Sequence, residues 1–93
     1  MNPSLKARRI VLADDHAVVR LGFRLLLEGA GAEVVGEAGS GEEAIRRYGE
    51  TAPDVLVMDV SMPGIGGLAA LERLRATHPE ARVLMLSAHN DAV

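Results

Sequence analysis

A short apolar run that ends in an acid constrains the fold of this chain more than any other feature. The run extends from Val55 to Asp59 (VLVMD), with Pro53-Asp54 before it and Pro63-Gly64 after it. A run this short and this apolar is typical of a strand buried on both faces, near the centre of a parallel sheet. Asp59 would then emerge at the carboxyl end of the strand, where open α/β sheets place their ligand crevice. Asp59 is therefore the first candidate functional residue.

Further strands and helices are predicted to alternate around this run. Apolar stretches indicate strands at 9–13, 33–38 and 82–87, and helical spacing indicates helices at 16–29, 41–50 and 66–77. Alternation of this kind predicts an α/β fold, a doubly wound parallel sheet with helices on both faces. The strand at 33–38 is the least apolar, so we expect it near a sheet edge.

Two helices carry specific local signals. In the first, Val18, Leu21 and Leu25 and also Val19, Phe23 and Leu26 fall at helical spacing, with Arg20, Arg24 and Glu28 assigned to the opposite face. In the second, Ser40 and Glu43 resemble a capping box, with Ser40 as the N-cap and Glu43 reaching back.

Composition narrows the class of protein. Ninety-three residues with 48% hydrophobic and 25% charged content are typical of one small globular domain. A net charge of −3 argues against direct binding of nucleic acid, which normally needs a basic face. The chain has no cysteine for disulfides or thiolate metal sites, and no apolar run long enough to span a membrane. We therefore expect a cytoplasmic protein with no membrane contact.

Polar side chains end three of the predicted strands. These are Asp14-Asp15, Asp59 and Ser87. If the strands are neighbours, three carboxylates and a hydroxyl meet at one rim of the sheet, where carboxylates repel one another unless a cation lies among them. Ligation by oxygen alone suits Mg²⁺ or Mn²⁺, and a carboxylate beside such an ion is a plausible phosphoryl acceptor. Taken alone, Asp14-Asp15 could also cap the first helix, and a surface or capping role is favoured for His16.

Three separated motifs resemble one protein family. The segments LADDH at 12–16, PDVLVMDVSMPG at 53–64 and VLMLSA at 83–88 resemble the receiver domain of two-component response regulators. The segments VRLG at 19–22 and LLLE at 25–28 are similar to the LuxR-type subfamily. The resemblance implies a flavodoxin-like sheet of order 2-1-3-4-5. It also implies a role in transcription regulation through a DNA-binding effector domain that lies outside this sequence.

The resemblance implies roles for particular residues. Asp59 would accept a phosphoryl group from a phosphohistidine of a sensor histidine kinase. Asp14, Asp15 and Asp59 would hold Mg²⁺, with the backbone carbonyl of Ser61 as a further ligand. Ser87 would hydrogen-bond the phosphoryl oxygens and shift toward them, which is the family's conformational switch.

The resemblance also implies elements that this sequence does not contain. The family's domain continues through a final strand and helix, including a lysine that pairs with the phosphoryl group, whereas the only lysine here is Lys6. We therefore expect residues 1–7 to be frayed and residues 8–93 to form a receiver domain that is incomplete at its C-terminal end. Its fourth strand would be an open edge, so a homodimer, an exchanged element or sheet-edge pairing is predicted.

Two other functions remain as alternatives to a phosphorylated signalling module that is not itself an enzyme. One is a Mg²⁺-dependent phosphohydrolase with Asp59 as the nucleophile. Such enzymes typically carry a second acid two residues later, where this chain has Ser61. The other is an unphosphorylated docking module in which the acids only maintain the fold.

Overall fold

The computed structural model describes residues 8–86 as one four-stranded sheet with three helices. The strands are β1 (Arg9–Ala13), β2 (Glu33–Ala38), β3 (Val55–Asp59) and β4 (Val83–Leu86), and the helices are α1 (Ala17–Gly29), α2 (Gly41–Thr51) and α3 (Gly66–Thr77). Residues 1–7, which were predicted to be frayed, and Ser87 lie outside the described part of the chain. In residues 8–86, no helix is both long enough and apolar enough to cross a membrane.

The sheet has the predicted parallel topology. Its strand order is β2-β1-β3-β4, and each strand runs parallel to its neighbours. This confirms the doubly wound, flavodoxin-like order 2-1-3-4. The two central strands are buried from their second residue onward, whereas β2 lies at an edge and is more exposed, as its composition predicted.

The register of the central strands aligns their carboxyl ends. Ala13 pairs with Met58 across β1 and β3, and Asp59 pairs with Leu86 across β3 and β4. Because Asp14 directly follows Ala13, Asp14 and Asp59 leave the sheet at the same level. Alternation along each strand sends neighbouring side chains to opposite faces.

Each face of the sheet has its own core. On one face, Val11, Leu56 and Met58 pack with Tyr48 of α2 and Leu74 of α3. On the other, Ile10, Leu12 and Val57 pack with Phe23 and Leu27 of α1. In the described chain, α2 and α3 thus share one face, and α1 covers the other alone.

Helix α2 begins with the predicted capping box. The Ser40 hydroxyl accepts a hydrogen bond from the Glu43 N–H at 3.2 Å, and the Glu43 carboxylate accepts one from the Gly39 N–H at 2.8 Å. The reciprocal bonds satisfy two backbone donors at the start of the helix.

Helix α1 is rotated relative to the orientation predicted from its apolar pattern. Phe23 and Leu27 face the sheet, whereas Val18, Leu21 and Leu25 are exposed. Arg20, which was assigned to the opposite face, lies on the sheet side, where its Nε donates to Glu37 of β2 at 2.9 Å. Phe23 packs on the sheet as predicted, but the assignment of the other apolar residues to the buried face and of Arg20 to the opposite face was wrong; the exposed residues are Val18, Val19, Leu21, Leu25 and Leu26.

The fourth strand leaves an apolar surface open in the described structure. Leu84 of β4 is 54% exposed, and it borders a groove of about 340 Å³. Ile10, Leu27, Val55 and Val57 also line this groove, on the face that α1 covers only in part. Among the described residues, β4 is an edge strand of the sheet.

Candidate functional site

Three carboxylates converge where β1 and β3 end. Asp14 and Asp59 are almost fully buried, with 4% and 2% of their surface exposed, and the side chain of Asp15 is 31% exposed. One ligand atom from each of these residues and from His16 lies within 4.8 Å of the others. We refer to Asp14, Asp15 and Asp59 as the acidic cluster. Its compactness follows from the aligned register of the two central strands.

The two oxygens of Asp59 have different surroundings. Oδ1 accepts a hydrogen bond from the Ser61 N–H at 3.1 Å. Oδ2 is buried and, among the contacts of the described residues, has no hydrogen-bond partner. A buried carboxylate oxygen without a donor is costly, so this atom is suited to a cation or to a bond with an incoming group.

The turn after β1 is held by hydrogen bonds to the backbone N–H and the backbone carbonyl of Asp14. The Asp14 N–H donates to the carbonyl of Ala38 at 2.9 Å, and the Asp14 carbonyl accepts from Nη1 of Arg20 at 2.6 Å. Oδ1 of Asp14 accepts from the His16 N–H at 2.8 Å. Asp14 therefore shapes the entrance to α1 while its carboxylate stays inside the cluster. Asp14 bonds the N–H of the N-cap residue His16 rather than an N–H of the first turn of α1, so it does not cap the helix in the way the alternative interpretation required.

His16 is the N-cap residue of α1, but its side chain makes no capping hydrogen bond. Its Nδ1 instead lies 3.3 Å from Asp14 Oδ1 and 3.2 Å from Asp15 Oδ1, while most of the side chain is exposed. The surface position predicted for His16 is confirmed, and the ring also touches the acidic cluster.

An arginine pair connects α1 to β2 beside this turn. Arg20 Nε and Arg24 Nη1 bind the two oxygens of Glu37 at 2.9 and 2.6 Å. Arg24 also donates to Glu28 at 3.2 Å. Hydrogen bonds to Glu28 first, and to Glu37 second, raise the pKa of Arg24 above its usual value. The network holds α1 against the edge strand next to the acidic cluster.

The loop after β3 packs tightly against the start of α3. Gly64 and Gly66 have positive φ values of 76° and 81°, which glycine adopts at little cost. A Cβ at Gly67 would collide with the carbonyl of Asp59, so α3 starts directly against the end of β3. Glu42 of α2 accepts a hydrogen bond from the Ile65 N–H at 3.3 Å and anchors the other side of the loop.

Comparison with protein families identifies this arrangement. Residues 10–93 match the family described as "Response regulator receiver domain". The chain belongs to this family. The receiver domain is 46% identical over 80 residues to the response regulator GacA of Pseudomonas viridiflava, and 43% identical over 83 residues to UvrY of Escherichia coli K12. Those matches cover 85% and 88% of this chain but only 37% and 38% of the two relatives.

A solved structure has the same fold as this receiver domain. A LuxR-family two-component response regulator from Aurantimonas sp. SI85-9A1 is 44% identical, with a TM-score of 0.86. The match covers 91% of this chain and 61% of that one. The relatives are regulators of the two-component type, and the LuxR-type resemblance predicted from the sequence is confirmed.

The receiver domain brings together most of the residues that sequence reasoning selected. Asp14, Asp15 and Asp59 form one cluster, and the backbone of Ser61 contacts Asp59. Ser87 lies outside the described residues, so its predicted contact with a phosphoryl group stays a prediction.

Sequence reasoning missed the contribution of Arg20. Arg20 was assigned with Arg24 and Glu28 to the face opposite the apolar residues, which predicted a solvated side chain. The available signal was its spacing: Arg20 lies three residues before Phe23 and seven before Leu27, the two residues of α1 that pack on the sheet. Residues at this spacing share one face of a helix.

Proposed function

We propose that this receiver domain accepts a phosphoryl group on Asp59 from a phosphohistidine of a sensor histidine kinase. The observation that carries the proposal is the buried Oδ2 of Asp59, which has no partner among the described residues and lies in a cluster of two further carboxylates. A structural aspartate at this position would be expected to have both oxygens satisfied.

The donor set of the site fits Mg²⁺, and Mn²⁺ would also be accepted. Asp14, Asp15 and Asp59 would hold the ion through carboxylate oxygens or water, with the backbone carbonyl of Ser61 as a further oxygen ligand. The unpartnered Oδ2 and the close spacing of the three acids support this assignment. When bound, the cation neutralises the charge that repels an incoming phosphoryl group.

In the proposed transfer, a carboxylate oxygen of Asp59 forms a bond to phosphorus as the bond between phosphorus and the kinase histidine nitrogen breaks. The electron pair leaves with the imidazole nitrogen, which takes up a proton, and Asp59 becomes an acyl phosphate. The Ser61 N–H orients the carboxylate through its hydrogen bond to Oδ1. Ser87 would hydrogen-bond the phosphoryl oxygens and report the modification to the rest of the protein.

The output of the site is proposed to be transcription regulation. GacA and UvrY are response regulators, and this chain matches little more than a third of their length. We infer that residues 8–93 act in the cytoplasm as the regulatory part of a longer protein, whose effector domain binds DNA. The receiver itself would be a substrate of the kinase rather than an enzyme acting on a free substrate.

The direct test is phosphorylation by a small-molecule donor. The longest natural polypeptide that contains this sequence is incubated with acetyl phosphate and Mg²⁺ and then measured by intact mass. The proposal predicts one added phosphoryl group that hydroxylamine removes and that is absent from the Asp59→Asn variant. No mass gain would overturn the proposal. Repeated hydrolysis of a phosphate ester, lost in the same variant, would favour a phosphohydrolase instead.

A further inference from the structure

We propose that Arg20 is the positioning residue of the acidic cluster, and that it fixes the peptide unit joining Asp14 to Asp15. The inference rests on the proposed function, because the cluster it positions is the proposed cation and phosphoryl site. It assigns a role to a side chain that contacts neither a cation nor a phosphoryl group.

The contacts of Arg20 connect two different parts of the receiver. Its Nη1 donates to the Asp14 carbonyl at 2.6 Å, and its Nε donates to Glu37 Oε1 at 2.9 Å. The guanidinium is a rigid planar group whose donors point in fixed directions, so two anchored bonds set its orientation. The side chain is only 25% exposed, which limits competition from water. Arg20 therefore acts as a strut from the edge strand to the turn after β1.

Arg20 affects the acidic cluster because its side chain holds the peptide unit between Asp14 and Asp15. The Asp14 carbonyl belongs to the peptide unit between Asp14 and Asp15, and the Asp14 N–H is already bound to Ala38. With its N–H and its carbonyl both anchored, Asp14 is held on both sides, and the peptide unit from which Asp15 continues is held as well. Metal sites depend strongly on such outer partners, whose loss typically costs roughly ten- to a hundredfold in affinity.

A purely electrostatic role for Arg20 predicts the opposite result. A cation near three carboxylates repels a second cation, so removing only its charge would strengthen Mg²⁺ binding. A role confined to packing would lower thermal stability and leave Mg²⁺ affinity unchanged. The three roles therefore predict different effects of losing the Arg20 side chain on Mg²⁺ affinity. Positioning predicts weaker binding, an electrostatic role predicts tighter binding, and packing predicts no change.

The chain contains a matched control. Arg24 lies one helical turn after Arg20 and binds the other oxygen of Glu37, at 2.6 Å. Arg24→Ala therefore removes an ion pair of the same type from the same helix, without removing the hydrogen bond to Asp14. Arg20→Lys keeps the charge but replaces the planar group with a single ammonium, which does not reproduce both bonds.

The experiment compares the wild-type chain with Arg20→Ala, Arg20→Lys and Arg24→Ala. Mg²⁺ affinity is measured by calorimetry and thermal stability by circular dichroism. Amide hydrogen exchange of His16, whose N–H binds Asp14 Oδ1, is measured without metal. We expect Arg20→Ala to weaken Mg²⁺ binding roughly tenfold and to speed His16 exchange several-fold. Arg20→Lys should weaken binding several-fold, and Arg24→Ala should stay within about twofold of wild type.

Each outcome decides between the roles. Equal Mg²⁺ affinity in Arg20→Ala and Arg24→Ala, or tighter binding in Arg20→Ala, would overturn the positioning role, as would wild-type affinity in Arg20→Lys. If the wild-type chain does not bind Mg²⁺, the proposed function fails. The exchange of His16 then tests the strut by itself: faster exchange only in the Arg20 variants supports it, and unchanged exchange overturns it.

Discussion

At position 59, a buried carboxylate has one oxygen bound to the Ser61 N–H and the other without a partner among the described residues. Two more carboxylates lie within the same small cluster. A buried oxygen without a hydrogen-bond partner and repulsion between neighbouring carboxylates both oppose folding when no cation is present. We therefore infer that a bound cation would stabilise the folded receiver.

The first prediction concerns the stability of Asp59→Asn without metal. The amide removes one negative charge and offers a donor to the neighbouring carboxylates, so we expect the free energy of unfolding to rise by about 1–2 kcal/mol. Mg²⁺ should stabilise the wild type by mass action but not the variant. Urea unfolding with and without Mg²⁺ measures both effects.

The control is Asp54→Asn, which also removes one charge. Asp54 accepts a hydrogen bond from the Arg9 N–H at 2.8 Å, at the opposite end of the sheet. This variant should not gain stability, and it should keep the response to Mg²⁺. An Asp59→Asn protein that is less stable than wild type in metal-free buffer would contradict the account.

The second prediction concerns Tyr48, the only tyrosine of the chain. Burial first, and the charge of Glu80 second, raise the pKa of its phenol above the usual value of 10.0. Because the folded state binds this proton more tightly, the contribution to stability is complete below pH 10 and is lost as pH rises through the folded pKa. Ultraviolet absorbance of the phenolate should show a midpoint above pH 10, and Tyr48→Phe should lack this alkaline loss of stability. A titration midpoint at the pKa of free tyrosine would contradict the burial of the Tyr48 side chain.

Helices α1 and α3 differ in how deeply their leucine side chains are buried. Leu74 of α3 is fully buried between the sheet and α2, whereas Leu25 of α1 is 61% exposed. Replacing a buried leucine with alanine typically costs about 2–5 kcal/mol, and a change at an exposed position about 0.5 kcal/mol or less. We therefore expect Leu74→Ala to destabilise the chain strongly and Leu25→Ala to leave it nearly unchanged in urea unfolding. Equal losses would mean that Leu25 is buried in solution.

The strands and helix α1 differ in how far they could be predicted from the sequence. Strands β1 and β3 are apolar on both faces, so their type, central position and bounds follow from a local pattern. The rotation of α1 does not follow, because neither predicted apolar stripe packs on the sheet as a whole: Phe23 packs there with Leu27, whereas Val19 and Leu26 are exposed. The choice depends on Phe23, on Leu27 and on the ion pairs to Glu37, which lies in a different element.

At the scale of the molecule, the described sheet ends in an exposed β4 beside an apolar groove. An unpaired strand edge with exposed leucine promotes association with another chain. We predict that the 93-residue chain self-associates at micromolar concentration, through sheet-edge pairing, an exchanged element or a dimer that covers this face. Leu84→Lys should shift the population toward monomer in sedimentation velocity, because lysine on an edge strand opposes pairing. A wild-type chain that sediments as one monomeric species would contradict this prediction.

The position of the site could be predicted from sequence because parallel topology gathers strand ends. The adjacent Asp14 and Asp15 are distant in the chain from Asp59, yet neighbouring strands and their register bring the three acids into one cluster. The support around the cluster could not be predicted, since the bond from Arg20 to the Asp14 carbonyl depends on how α1 is rotated.

We propose that the carboxyl ends of β1 and β3 form a single pocket for a divalent cation. Titration with Mn²⁺, followed by paramagnetic broadening of backbone amide signals, locates such a pocket directly. We predict broadening centred on residues 14–16 and 59–61, reversal by excess Mg²⁺, and loss of the effect in Asp15→Asn. Broadening spread evenly over the chain, or centred on Asp54 and Glu80 at the opposite end of the sheet, would contradict it.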